Sequence, residues 1–174
     1  GPPKTVRNFL VARRLAEAGA RVATLNFSRW EWHGTANLLN FKRAKEDFPM
    51  LDKGLAALFT DLHERGLDKD IAVVVWGEFG RTPRLNKLNS RDHWPRASFT
   101  LMAGGGMRTG QVIGATNDLG CLPTEDGWHV YDLQATILHA LGLDHERLTY
   151  RYEGREFRLT DIHGEVKPEL FSRA

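Results

Sequence analysis

The stretch from Ile71 to Gly104, "IAVVVWGEFGRTPRLNKLNSRDHWPRASFTLMAG", decides how this chain folds. It opens on a continuous apolar run, the pattern of a strand whose two faces are both covered by helices. It closes on "SFTLMAG", which reads as another strand. Roughly nineteen residues lie between them without helical periodicity, more than a compact domain tolerates unless the loop is functional. A parallel crossover normally contains a helix, so these two strands are expected to run antiparallel. That arrangement returns His93 to the edge where the apolar run ends.

Upstream, Thr5 to Ala18 places Val6, Phe9, Leu10 and Leu15 on or near one stripe and is followed by Gly19, so a first amphipathic helix is expected there. "RVATLNF", Arg21 to Phe27, reads as a strand, and "SRWEWHGTAN" as the turn after it. A second helix from about Lys42 to Arg65 carries Leu51, Leu55, Leu58, Phe59 and Leu62 at three- and four-residue spacing and stops at Gly66. Downstream, "DLQATILHALGL" from Asp132 gives a third helix. Alternating residues around Glu153-Gly154 give a hairpin-like tail between Tyr150 and Phe171. The expected fold is therefore α/β, a partial doubly wound sheet. It is mostly parallel with one antiparallel strand, has three main helices, and forms a single domain over residues 1–174.

Bulk properties narrow the function. The 174 residues carry 41% hydrophobic and 26% charged side chains, as in an ordinary globular protein. No apolar run approaches the roughly 20 residues of a membrane span, so no membrane partner is expected. The formal net charge of +2 is spread among interleaved acids, and the basic groups at Arg13 and Phe41–Lys45 sit in helix-like segments, which argues against nucleic-acid binding. The single Cys121 excludes an internal disulfide framework and any CxxC motif. Gly1-Pro2-Pro3 has the look of a sequence remnant rather than a native start.

Three segments converge on the sheet edge where ligand sites of open α/β proteins are expected. In an extended backbone Glu31 and His33 project to one side while Trp30 and Trp32 face the other. With His93 they offer a carboxylate and two imidazoles, a set suited to zinc or manganese with coordination positions left open. Glu78 or Asp92 can add a further ligand or a carboxylate that orients an imidazole. The simpler reading stands beside it. Glu-x-His is a weak pattern, Glu78 can cap a turn, and Asp92 can hold Arg91 or Arg81. His63, His129, His139, His145 and His163 suit core or surface roles, and Trp30, Trp32 and Trp94 suit packing. "AGGGMRTG" follows a strand without opening a helix, so it is not a phosphate cradle.

The segments "WEWHG", "VVVWGEFGRTPRLN", "RDHWP", "LMAGGGM", "GQVIGATND" and "DLQATILHALGLD" together resemble the C-terminal part of an uncharacterised bacterial sulfatase-like family within the alkaline phosphatase superfamily. The resemblance implies that Glu31, His33 and His93 bind one divalent metal (zinc, manganese or calcium). It also implies that Glu78 belongs to a second metal site, from which Phe79 removes an imidazole ligand. Asp132 then caps a structural helix. The resemblance further implies a soluble, exported parent protein that hydrolyses small phosphate or sulfate esters, with Arg81 or Arg91 clamping substrate oxygens. Neither Thr5 nor Ser28 stands where the nucleophile belongs, so no catalytic nucleophile is expected within this chain. The chain is then a C-terminal portion of a larger domain, inactive alone, pairing with its missing half or with itself. The rival expectation is a non-catalytic binding or scaffold protein with at most a structural metal.

Overall fold

A computed structural model describes residues 6–34 and 39–171. Thr5, the Gly1–Pro3 start and positions 35–38 of the expected turn lie outside the described residues. The helices fall near their expected places: α1 spans Arg7–Glu17, α2 Asn40–Glu64 and α3 Val130–Ala140. Their ends have local causes. Gly19 and Gly66 take positive φ just after α1 and α2, the conformation in which backbone N–H groups turn back to the last free carbonyls. At the start of α3 the His129 N–H donates to Asp132 Oδ2 at 2.9 Å, while His129 Nδ1 accepts from the Tyr131 N–H. The helix thus begins two residues before Asp132, and the expected capping role of Asp132 is exercised from inside the first turn.

The sheet differs from the expected one. β1 (Ala72–Trp76) pairs with β4 (Thr100–Gly104) antiparallel, Ala72 opposite Gly104 and Trp76 opposite Thr100. This is the antiparallel return inferred from the long loop. The remaining ladders are also antiparallel pairs: β2 (Gly80–Arg81) with β3 (His93–Trp94), β5 (Ala115–Thr116) with β6 (Pro123–Glu125), and β7 (Thr149–Tyr152) with β8 (Arg155–Arg158). No parallel doubly wound sheet is formed among the described residues, which overturns the expected fold class. Arg21–Phe27 is no strand but extended chain without a ladder, with Val22 68% exposed. An apolar run needs a lateral partner to become a strand, and this one instead sends Phe27 onto Phe9 of α1, ring centroids 5.9 Å apart. The tail does form its hairpin, with Glu153 and Gly154 both at positive φ as a two-residue turn of this hand requires.

Among the described residues, half of the buried hydrophobic side chains gather where α1 crosses α2, and Met107, Leu133, Ala135 and Leu170 are buried elsewhere. Phe9, Phe27, Trp32 and Leu62 are buried there, and Phe27, Trp30, Trp32 and Phe48 continue the aromatic contact chain. Gly54 of α2 makes the crossing possible, since a Cβ there would lie 2.6 Å from the Phe9 ring. Gly54→Ala should therefore lower stability by about 1 kcal/mol, overpacking of about 1–3 kcal/mol outweighing the ~1 kcal/mol gain in helix propensity. Urea unfolding read by far-UV circular dichroism checks this. α3 is tied instead to the tail. Asp132 Oδ1 accepts from the Glu165 N–H at 2.9 Å and Lys167 Nζ stands 3.7 Å from Oδ2. Buried His145 and Thr160 pair at 2.9 Å, in keeping with a satisfied core histidine. Among the described residues no helix is long and apolar enough to cross a membrane.

The Asp132 carboxyl titrates below the usual aspartate value of 3.8. Burial opposes its ionisation, but the N–H groups of His129 and Glu165 and the Lys167 ammonium outweigh that cost. A depressed folded-state pKa contributes stability that is present above 3.8 and is lost as pH falls through the folded value. Asp132→Asn should lower stability by about 1–2 kcal/mol at neutral pH. The gap to wild type should close as the pH falls below 3.8. Thermal midpoints measured from pH 7 to pH 3 report both effects.

Candidate metal centre

Two arms of backbone bring the site together. The first, residues 28–33, leaves the aromatic core with Ser28 at φ 61° and Trp30 at φ 56°. Non-glycine residues hold such angles at a cost of about 1–3 kcal/mol each, so the surroundings must enforce them. They do. Ser28 Oγ donates to the buried Asp47 carboxylate, Arg81 Nη2 donates to the Trp30 carbonyl at 2.6 Å, and Asn40 Nδ2 donates to the Trp32 carbonyl. Beyond Trp30 the side chains alternate as expected, with Trp32 buried and Glu31 and His33 turned outward. The second arm is β3, held to β2 with His93 opposite Arg81.

The arms meet over a small area. One carboxylate oxygen of Glu31 and one ring nitrogen each of His33 and His93 all lie within 4.8 Å of one another. His33 Nε2 is in hydrogen-bond contact with Glu31 Oε1, and His93 Nε2 is 3.4 Å from the same oxygen. The two imidazoles are 4.2 Å apart between centroids, and the Phe79 ring covers His93 at 4.0 Å. Partial desolvation opposes ionisation of Glu31. The His33 hydrogen bond and electrostatic attraction to His33, His93 and Arg81 outweigh it, holding the carboxyl below its usual value. Two imidazoles and one carboxylate at this spacing are a donor set for zinc or manganese, whose ligands sit at about 2.0–2.2 Å from the ion.

The other expected site residues are placed differently. Asp92 stands outside the trio, but its Oδ1 is 3.7 Å from His33 Nδ1, on the ring side away from Glu31. At that distance it makes no hydrogen bond to the ring and acts on it only through its charge. Glu78 is exposed and does not belong to the group. The Arg91 guanidinium donates to the Thr82 and Pro83 carbonyls at 2.6 Å each, so both arginines brace backbone rather than reach outward.

Three polar residues went unnoticed in the sequence. Asn86 Nδ2 donates to the His33 carbonyl at 3.2 Å and to Asp92 Oδ1 at 3.0 Å, while its Oδ1 accepts from the N–H groups of Leu88 and Ser90. Buried Asn40 and Ser90 hydrogen bond to each other, and Asn40 Oδ1 also accepts from the Arg91 N–H. Gly34, at φ 110°, lets the first arm pass this loop, because a Cβ there would lie 2.8 Å from Ser90 Cβ. The available signal was an Asn at the head of a loop, a position where side-chain amides often replace backbone partners.

Comparison with known proteins corrects the family assignment. No sulfatase or alkaline phosphatase family matches, which overturns that resemblance and removes the ground for assigning Glu78 and Phe79 to a second metal site. No curated protein and no solved structure matches the chain. A family model described as "Protein of unknown function (DUF1501)" matches residues 2–171, and the chain belongs to that family.

Proposed function

We propose that the chain carries a divalent-metal centre held by Glu31, His33 and His93 and serves in metal-dependent hydrolysis of a phosphate or sulfate ester. The convergence of these three donors within 4.8 Å carries the reading. A bound divalent ion supplies Lewis-acid polarisation of an ester oxygen. The protein's own part is positional. Arg81 tethers the first arm and helps keep Glu31 ionised, Asp92 sets a second carboxylate 3.7 Å from His33 Nδ1, and Phe79 shields one face of His93 from water.

One observation favours the second reading, a binding or scaffold protein with a structural metal. The Arg81 and Arg91 guanidiniums are committed to carbonyls, which leaves neither disposed as a clamp on substrate oxygens. Turnover of aryl phosphates and aryl sulfates with added zinc or manganese separates the two. Because no nucleophile is expected within this chain, the assay uses the full-length protein: metal-dependent hydrolysis there that His93→Ala abolishes supports the hydrolase, whereas stoichiometric metal binding without turnover supports the scaffold.

A further inference from the structure

We infer that Asn86 is the positioning residue of this centre, the carboxamide that sets the distance between its two arms. The inference rests on the metal-site reading and deepens it. His33 and His93 belong to segments sixty residues apart, and no ladder pairs them directly. Arg81 and Asn40 tether the first arm at Trp30 and Trp32, and Asn86 Nδ2 makes the tie at His33 itself, donating one hydrogen to the backbone of His33 and the other to Asp92, the neighbour of His93. The same Asp92 oxygen faces His33 Nδ1. Asn86 therefore fixes at once the height of the first arm and the position of the carboxylate beside its imidazole. Its own rotamer is locked from behind, where Oδ1 accepts two backbone N–H groups of the 86–90 loop and the Asn86 N–H donates to the Ser90 carbonyl at 2.9 Å.

Asn86→Asp separates positioning from general support. It keeps Oδ1 and with it the loop's internal bonds, but it replaces the two donated hydrogens with an oxygen that repels both partners. Zinc affinity, measured by competition with a chromophoric chelator, should fall about 10- to 100-fold, the usual penalty for losing a group that orients metal ligands. The visible absorption of the cobalt-loaded protein should change shape and intensity. Without metal, the NOE between His33 and His93 ring protons should vanish while the thermal midpoint stays within about 2 °C. Wild-type zinc affinity and cobalt spectrum in Asn86→Asp would overturn the inference and leave the metal site standing, provided His93→Ala abolishes binding. Failure of the wild type to bind zinc, manganese or cobalt would sink the metal reading, and the metal-free NOE alone then decides whether Asn86 holds the arms together.

Discussion

Titrated with zinc at neutral pH, the chain should bind one ion per molecule, and His93→Ala should weaken that binding by more than about 100-fold. Loss of a direct ligand exceeds the 10- to 100-fold penalty seen for groups that only orient ligands. Glu31→Gln should be nearly as damaging, because it removes the anion that both imidazoles face while keeping the side chain's shape. Glu78→Gln, by contrast, should bind as wild type does, since that carboxylate stands outside the trio. Isothermal titration with the four proteins side by side checks the whole pattern. Equal affinity in wild type and His93→Ala would mean that the trio is only a surface ion-pair cluster.

The sequence made this trio legible for a local reason and a topological one. Locally, Glu-x-His on extended chain puts two donors on one side, and Trp32 buries the other. Topologically, a long loop without helical periodicity required β4 to return beside β1, which carries His93 back with it. The sheet as a whole was not legible. Arg21–Phe27 has the composition of a strand, but composition does not reveal that Phe27 finds a ring partner on α1 instead of a neighbouring strand. Nor could periodicity show Asn40, Asn86 and Ser90, whose importance lies in hydrogen bonds across 50 residues or more for Asn40 to Ser90 and Asn86 to His33. Trp30 at positive φ is likewise imposed by tertiary contacts.

The apolar character of β1 was read as a sign of helices on both faces, and its unmet half leads to the second large effect. Val73, Val75, Leu101 and Ala103 share one face of the β1–β4 pair, while Val74, Trp76 and Met102 share the other, and among the described residues no helix makes a substantial contact with either strand. Trp76 is 49% exposed and Leu101 51%, with Phe99 at 75% just before β4. The accessible surface of 12498 Å² compares with about 8,600 Å² for a compact monomer of 19.7 kDa. That excess, roughly 3,900 Å² for one chain, is more than the roughly 1,000–2,500 Å² that each partner contributes to an obligate interface. Each strand of the pair also keeps one free hydrogen-bonding edge, which invites a strand from another molecule. The occupant we propose is a second copy, joined edge to edge with its apolar faces covered. Light scattering after size-exclusion chromatography should show dimers or larger species at micromolar concentration, and Phe99→Lys combined with Leu101→Lys should shift the population to monomer. The pair β2–β3 and the proposed metal site should survive that double substitution, because both side chains are largely exposed. A wild-type chain that elutes as a monomer at every dilution would refute self-association, and would leave these faces to a different polypeptide.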